Sequence, residues 1–287
     1  MVRTRTKASR PAPKPVPTVV LKIGGRALEA PGAPQQLARE IAARSGRMIL
    51  VHGGGGEVSD WCTRLSIEPR FVEGLRVTDA ETLDVAVAVL AGLANKRLVA
   101  QLRQAGVDAV GLSALDGGMV ELELHPDHGL LGRVGTVRSV SPALLETLLA
   151  QGRTPVLASV GSLAGELLNL NADELAAALA AALRAHTLVL LSDAPGVRLG
   201  ERVVPSLAAQ EIDGVLGNPE VRDGMVAKLR AARRALDAGV GRVRIAAWSG
   251  PGTLRSLTGD GVAGTTLSAG GGLVSAHAGA SEETARG

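Results

Sequence analysis

Two stretches of the chain decide the fold, Thr18-Val-Val-Leu-Lys-Ile-Gly-Gly25 and Met48-Ile-Leu-Val-His-Gly-Gly-Gly-Gly56. Each is a short apolar run that ends in glycines, which is typical of a buried strand followed by a tight loop. In open α/β sheets the ligand crevice lies at the carboxyl ends of the strands. Runs of glycine let backbone N–H groups approach an anion, and a helix that follows adds its partial positive charge. The two stretches therefore predict an anion held between two glycine loops. A tight turn without a ligand is the alternative, and it accounts for one glycine rather than four.

The rest of the chain alternates short apolar runs with helical patterns. This alternation predicts an α/β fold, a three-layer αβα sandwich with a mostly parallel central sheet. The predicted strands span residues 18–23, 48–52, 109–112, 155–158, 187–191 and 243–247. The predicted helices span residues 36–44, 58–65, 79–105, 142–151, 173–184 and 225–238. A capping box at Thr78 and Glu81 predicts the start of the third helix. Residues 119–123 and 132–140 predict a hairpin inserted between the third and fourth strands.

The positive charge of the chain is concentrated at one end. Residues 1–17 contain five basic and no acidic residues, whereas the whole chain of 287 residues has a formal net charge of +3. We expect residues 1–17 to be a disordered, basic, proline-rich leader and residues 270–287 a disordered tail. A targeting peptide and a weak nucleic-acid arm are the alternatives for the leader. Because the part between the ends is close to neutral and only 1% of residues are aromatic, nucleic acid is not an expected partner.

The chain contains one cysteine, Cys62, and no apolar run long enough to span a bilayer. A lone cysteine excludes a disulfide scaffold and indicates a reducing compartment, so we expect a cytoplasmic protein with a packed thiol. The motifs of Walker nucleotidases, dinucleotide enzymes, zinc proteases and α/β-hydrolases are absent. His125 and His128 stand in a polar hairpin turn, which does not favour metal ligation. We therefore predict no metal site built from side chains.

Two lysines and one polar segment are candidates for chemistry. Lys22 lies near the end of an otherwise apolar strand, where burial of its charge is costly unless an anion meets it. Lys228 lies one turn into a helix, so its side chain is expected to point back towards the N-terminus of that helix, within reach of a phosphate. Taken alone, a lysine in either position is more often an ordinary solvated cation. Either Asn171 or Asp173 is expected to cap the helix that follows, which leaves the other polar residues of the segment unexplained.

Taken together, these motifs resemble the amino acid kinase family, and within it the branch that phosphorylates N-acetyl-L-glutamate. The matching segments occur in family order across residues 18–268: Leu21-Lys-Ile-Gly-Gly25, His52-Gly-Gly-Gly55, Gly74-Leu-Arg-Val-Thr-Asp79, Asn169-Leu-Asn-Ala-Asp173, Leu191-Ser-Asp193 with Gly196, Gly224-Met-Val-Ala-Lys228 and Gly264-Thr265. The resemblance implies transfer of a phosphoryl group from ATP to the γ-carboxylate of N-acetyl-L-glutamate, the second step of arginine biosynthesis. It also implies Mg²⁺ held mainly by the nucleotide.

The resemblance assigns roles to individual residues. The implied catalytic residues are Lys22 and Lys228, which would stabilise the transferring phosphoryl group, and Asp173, which would orient both lysines. The implied substrate-binding residues are Gly54, Gly55, Arg76 and Asn169, with Arg76 pairing with the α-carboxylate. The implied nucleotide-binding residues are Gly24, Gly25, Asp193, Gly196, Val197, Gly224 and Met225.

The resemblance also implies an organisation in two lobes. Residues 18–165 would form an N-terminal lobe that binds the acylated amino acid, and residues 166–269 a C-terminal lobe that binds ATP. We expect a homodimer without membrane attachment, insensitive to arginine, because the leader lacks the amphipathic stripe of the arginine-inhibited members. Two alternatives stay open: a carboxylate kinase of the same fold that acts on N-acetylaminoadipate or N-succinylglutamate, and a non-catalytic regulatory or DNA-binding protein on the same scaffold.

Overall fold

The computed structural model describes residues 17–24, 31–222 and 224–270. Of the predicted leader it describes only Pro17, and of the predicted tail only Gly270, so both predictions lie outside the described residues. Within these ranges, no helix has both the length and the apolar character that a membrane crossing requires.

The strands are numbered in chain order. They are β1 (Thr18–Ile23), β2 (Arg47–His52), β3 (Phe71–Val72), β4 (Leu75–Arg76), β5 (Ala109–Ser113), β6 (Val120–Leu124), β7 (Val134–Val140), β8 (Thr154–Ala158), β9 (Val160–Leu163), β10 (Glu166–Leu170), β11 (Thr187–Ser192), β12 (Arg198–Leu199), β13 (Arg202–Val203), β14 (Ser206–Ala208), β15 (Arg242–Ala247) and β16 (Thr265–Ser268).

The α-helices are numbered in the same way. They are α1 (Ala33–Ala42), α2 (Gly55–Arg64), α3 (Ala80–Val87), α4 (Asn95–Gln104), α5 (His128–Leu131), α6 (Ala143–Ala150), α7 (Ala172–Ala182), α8 (Ile212–Leu216), α9 (Gly224–Asp237) and α10 (Thr253–Thr258).

Eight strands form the central sheet, in the order β14–β16–β15–β11–β1–β2–β8–β5. All neighbours are parallel except β15 and β16. All six predicted strands lie in this sheet, so the predicted α/β class with a mostly parallel sheet is confirmed. β1 lies between β2 and β11, with Ile23 level with both His52 and Leu191. The loops that follow these three strands therefore meet at one edge of the sheet.

The central sheet is covered by a hydrophobic core on each face. Val20 of β1 belongs to one core, together with Leu175 of α7 and Leu229 of α9. Leu21 belongs to the other core, together with Leu37 of α1. Because successive side chains of a strand point to opposite faces, the apolar residues Val19, Val20 and Leu21 of β1 fill both cores. Burying one such leucine stabilises the fold by about 1.5–3 kcal/mol.

A second sheet of four strands has the order β6–β7–β10–β9. The predicted hairpin is present as the antiparallel pair β6–β7. A further hairpin, β9–β10, was not predicted, because these strands are short and carry polar residues on both sides of the turn. Its turn contains Ala164 at φ 50° and Gly165 at φ 89°. The expected boundary between lobes, after residue 165, falls at the end of this turn, where β10 begins.

The predicted third helix, residues 79–105, is divided into three parts. Between α3 and α4 lies a π-helical segment, Ala88–Ala94. The predicted capping box is wrong, because the N-cap is Asp79, whose Oδ1 accepts the N–H of Thr82 at 2.9 Å. Thr78 is fully buried and forms an isolated parallel β-bridge with Gly132. Its hydroxyl donates to the carbonyl of Arg76 at 2.9 Å. Its side chain is therefore not available to cap the helix.

Candidate active site

Lys22 is the penultimate residue of β1 and is 6% exposed. Its Nζ lies 2.8 Å from Oδ1 of Asp173. A buried ammonium group is costly without a partner of opposite charge. The anion that we expect beside Lys22 from the sequence is therefore supplied in part by Asp173.

Asp173 lies in the first turn of α7, but it does not cap that helix. The cap is Asn171, whose Oδ1 accepts the N–H groups of Asp173 at 2.8 Å and Glu174 at 3.1 Å. Of the two predicted caps, Asn171 is therefore the one that serves. Because Asn171 satisfies the backbone, the carboxylate of Asp173 is directed towards the lysines.

Lys228 approaches the same carboxylate from α9. Its Nζ donates to Oδ2 of Asp173 at 3.4 Å and to the carbonyl of Gly224 at 3.2 Å. Gly224 is the first residue of α9, so the side chain points back to the N-terminus of its helix as predicted. β1, α7 and α9 thus bring Lys22, Asp173 and Lys228 together.

The charges of these three groups determine how each one titrates. Burial alone would raise the pKa of Asp173, but the two ammonium groups lower it below its ordinary value. Burial lowers the pKa of Lys22, the charge of Lys228 adds to this, and Asp173 and Asp193 oppose it. Lys22, Asp173 and Lys228 together carry two positive charges and one negative charge. A further negative charge beside the lysines is therefore favoured.

The glycine loop after β2 leads directly into α2. Gly54 is the N-cap residue, and its carbonyl accepts the N–H of Val58 at 2.9 Å. The N–H groups of residues 55–57 have no acceptor within the helix, as at any helix N-terminus. After β1, Gly24 donates its N–H to the carbonyl of Leu191 at 2.9 Å. Both loops therefore lie at the edge of the sheet where β1 ends, next to Lys22.

A cavity of about 200 Å³ opens beside this edge and is bordered by Lys22, Gly54, Gly55, Arg76, Asn169 and Asp173. Arg76 is 7% exposed; its Nη2 donates to the carbonyl of Gly55 at 2.6 Å and to Oγ of Ser59 at 2.7 Å. Its Nη1 is buried without a hydrogen-bond partner in the described part of the chain. An unpartnered guanidinium nitrogen on a residue that borders a cavity favours a carboxylate ligand there.

A larger cavity of about 300 Å³ adjoins the first one, between the β3–β4 turn and α9. Its two arginines already have partners: Arg230 lies 3.8 Å from Glu73, and Arg234 lies 2.8 Å from Glu174. The smaller cavity is bordered by Lys22 and by Arg76 with its unpartnered nitrogen, so it is the better candidate for an anionic substrate.

The amino acid kinase family model matches residues 17–247. This chain belongs to the amino acid kinase family. It is 46% identical over 232 residues to the acetylglutamate kinase of Methanopyrus kandleri, which covers 77% of this chain and 91% of the relative. It is 45% identical over 232 residues to the acetylglutamate kinase of Koribacter versatilis, covering 79% and 89%. The crystal structure of smu.665 from Streptococcus mutans UA159 superposes with a TM-score of 0.76 at 28% identity, covering 88% of this chain and 99% of that one.

The predicted nucleotide residues of this amino acid kinase are distributed over several loops. Asp193 follows β11, and its charge acts on Lys22. Gly224 and Met225 begin α9, so they lie beside Lys228. Gly196 is in a tight turn where a Cβ would lie 2.6 Å from Val203. Gly25 lies outside the described residues.

Val197 differs from the other predicted nucleotide residues, because it is engaged entirely within the protein. Its side chain is fully buried in the core. Its N–H donates to Oγ1 of Thr265 at 2.8 Å, and its carbonyl accepts the N–H of Val204 at 2.8 Å. A nucleotide would therefore contact the neighbours of Val197 in the turn and not Val197 itself.

Several residues that contact Arg76 and Asn169 beside the smaller cavity were not predicted. Ser59 and the ring of Phe71, whose centroid lies 4.6 Å from Cζ of Arg76, hold the guanidinium from two sides. Thr78 Oγ1 accepts the Asn169 amide at 3.2 Å. Thr78 lies in the segment of residues 74–79 that matches the family, so the sequence contains a signal that could have identified it. Ser59 lies in an ordinary helical pattern, so nothing local distinguishes it.

Within the ranges that the structure describes, no group of three or more His, Cys, Asp or Glu side chains could hold a metal ion. Both oxygens of Asp173 face ammonium groups, so this carboxylate is not free for a metal.

Proposed function

We propose that this amino acid kinase transfers the γ-phosphoryl group of ATP to the γ-carboxylate of N-acetyl-L-glutamate, giving N-acetyl-L-glutamyl 5-phosphate and ADP in arginine biosynthesis. The observation that carries the proposal is the buried group Lys22–Asp173–Lys228 beside a cavity bordered by Arg76, whose Nη1 has no hydrogen-bond partner in the described part of the chain. The relatives at 46% and 45% identity, both named acetylglutamate kinase, support the choice of acceptor.

The acceptor carboxylate needs no general base. A glutamate side chain has a pKa of about 4.3, so it is already an ionised nucleophile at neutral pH. Asp173 is unsuited to remove a proton, because its two oxygens already face Lys22 and Lys228. Catalysis then consists of positioning the carboxylate and neutralising charge on the phosphoryl group.

Lys22 and Lys228 are proposed to supply that neutralisation. Charge spreads over the equatorial phosphoryl oxygens and the bridging oxygen to ADP as the bond breaks. Two ammonium groups fixed by one carboxylate are already oriented for those oxygens, so they need little reorganisation during the reaction. Asp173 is proposed to act through the lysines as a positioning residue.

Arg76 is proposed to pair with the α-carboxylate of the substrate, with Asn169 and the backbone of Gly54 and Gly55 completing the site. The burial of Arg76 and its free Nη1 support this role. ATP is proposed to lie against the loops that contain Gly24, Gly25, Asp193, Gly196 and Val197, and against Gly224 and Met225. Mg²⁺ would be held mainly by the phosphates of the nucleotide. On this scheme residues 18–165 bind the acyl amino acid and residues 166–269 bind ATP.

We further propose a cytoplasmic homodimer that arginine does not inhibit. The single cysteine, Cys62, is fully buried, which agrees with a reducing compartment. Light scattering and activity with and without millimolar arginine test the assembly. A hexamer, or loss of activity with arginine, would contradict this part of the proposal.

An ATP-dependent hydroxamate assay tests the activity, because hydroxylamine traps an acyl phosphate. N-acetylglutamate, N-succinylglutamate, N-acetylaminoadipate and free glutamate are compared side by side, and we expect N-acetylglutamate to have the largest kcat/KM. A larger value for N-acetylaminoadipate or N-succinylglutamate would reassign the acceptor. No product with any of them would contradict a carboxylate kinase.

A further inference from the structure

Asn95 is a fully buried amide at the point where the π-helical segment ends and α4 begins. Its Nδ2 donates to the carbonyl of Val156 in β8 at 2.9 Å and lies 3.0 Å from Nε2 of His52. The carbonyl of Leu112 in β5 lies 3.3 Å from the same nitrogen. One side chain thus joins three strands of the central sheet, at the end of β2, near the end of β5 and in the middle of β8.

These contacts determine the protonation of His52. Because Nδ2 of Asn95 faces backbone carbonyls, it must be the donating nitrogen, and Nε2 of His52 must accept. The ring proton then lies on Nδ1, which donates to the carbonyl of Gly53 at 3.0 Å. Burial lowers the pKa of His52, and the nearby charge of Lys96 lowers it further. The imidazole is therefore neutral.

The charged groups around His52 come from two helices. Lys96 of α4 donates to Oδ1 of Asn95 at 3.1 Å. Glu57 of α2 and Arg97 of α4 border the same cavity as His52 and pair with each other at 2.7 Å. The hydrogen bond to the Gly53 carbonyl favours the protonated ring, but burial and the charge of Lys96 outweigh it and keep the pKa of His52 lowered.

The space for this network is specified by glycine. Gly111 in β5 has no Cβ, and one built there would overlap Oδ1 of Asn95. The π-helical segment contacts the loop at a second point, because a Cβ on Gly54 would lie 2.7 Å from Cδ2 of Leu90. π-Helical insertions are frequent at functional sites. Residues 88–95 thus support the glycine loop through one apolar and one polar contact.

We propose that Asn95 and His52 are positioning residues that hold the loop of residues 53–57, so that the free N–H groups at the start of α2 face the acceptor substrate. The inference rests on the proposed function, in which Gly54 and Gly55 contact the acyl amino acid. Neither side chain borders the substrate cavity, so both would act through the backbone of the loop. A displacement of about 1 Å in such a loop can cost about 100-fold in rate.

The variant Asn95→Leu tests the inference, with Gln104→Leu as the control. Gln104 is an exposed amide on the same helix, α4. We expect Asn95→Leu to lower kcat/KM for N-acetylglutamate about 10- to 100-fold and to change KM for ATP less than about 2-fold. The control is expected to match the wild type. An equal effect on both substrates, or no effect per folded enzyme, would overturn the inference.

Two His52 variants keep the test informative if Asn95→Leu does not fold. His52→Gln retains an acceptor for the Asn95 amide, so it is expected to stay within about 3-fold of the wild type. His52→Leu removes the acceptor and is expected to behave as Asn95→Leu. Equal activity of the two variants would contradict a positioning role.

Hydrogen exchange of residues 53–58 gives a readout that does not depend on activity. Faster exchange in Asn95→Leu than in Gln104→Leu is expected, and unchanged exchange would overturn the inference. If the wild type forms no hydroxamate with any acceptor, the proposed function fails; if the wild type is active and the variants equal it, only the positioning role fails.

Discussion

Lys22 Nζ lies 2.8 Å from Oδ1 of Asp173, inside a site where both side chains are less than one-tenth exposed. The other oxygen of the same carboxylate lies 3.4 Å from Nζ of Lys228. One anion therefore holds two cations in fixed positions, with positive charge in excess. This excess of positive charge complements the negative charge of an incoming phosphoryl group.

Removing either lysine should abolish most of the catalysis. We expect Lys22→Ala and Lys228→Ala each to lower kcat by at least about 100-fold, as loss of a transition-state donor does. Steady-state kinetics in the hydroxamate assay measure this. Near-normal kcat in both variants would refute the proposed roles.

Replacing Asp173 should change the dependence of stability on pH. The pKa of Asp173 is lower in the folded than in the unfolded chain, so its ionised form stabilises the fold above about pH 4. That stabilisation is lost as the pH falls through the folded pKa. Asp173→Asn should therefore have a lower Tm at pH 7 and a shallower decline of Tm below about pH 4. Thermal unfolding between pH 2 and 7 checks this, and parallel curves for variant and wild type would contradict it.

Arg76→Lys should weaken binding of the acyl amino acid. The guanidinium donates to Gly55 and Ser59 and still has Nη1 free, a geometry that an ammonium group does not reproduce. A charged hydrogen bond contributes about 1.5–3 kcal/mol, so KM for N-acetylglutamate should rise about 10- to 150-fold. KM for ATP should be unchanged. Arg64→Lys is the matched control, since Arg64 is exposed and stacks on Trp61 at 5.1 Å.

Gly24→Ala should impair the enzyme through the backbone. A Cβ at this position would lie 2.9 Å from the carbonyl oxygen of Leu191 in the adjacent strand, which cannot move aside as a flexible side chain can. The end of β1, and Lys22 with it, should be displaced, lowering kcat by about 10-fold or more. Gly129→Ala is the control, because a Cβ there meets no atom within 4 Å. Equal kcat for the two variants would contradict the prediction.

Glu40→Gln should lower stability without lowering activity. The carboxylate of Glu40 in α1 accepts the N–H of Gly252 at 2.5 Å and that of Leu254 at 2.9 Å, so it caps α10 from another helix. Loss of such a cap costs about 1–2 kcal/mol, or about 2–8 °C in Tm for a chain of this size. Calorimetry of Glu40→Gln beside the exposed Glu68→Gln measures the difference. A Tm equal to that of the control would show that the cap contributes nothing.

The strands of the central sheet were predictable because their signal is local. β1 and β2 are apolar on both faces, as strands buried between two helical layers must be. The β9–β10 hairpin and the π-helical segment gave no comparable signal. A short, partly polar hairpin is stabilised by the sheet it joins, and a π-helical segment by the contacts that it makes possible.

The sequence by itself determined the parallel α/β fold, the two glycine loops and the need for an anion beside Lys22. These properties depend on hydrophobic pattern, on backbone freedom and on the cost of burying a charge, all of which are local. Only the tertiary structure decided that Asn171 caps α7 and leaves Asp173 to the lysines, and that Arg76 keeps one nitrogen free. Which oxygen meets which donor depends on the packing of β1, α7 and α9, and residues distant in the chain determine that packing.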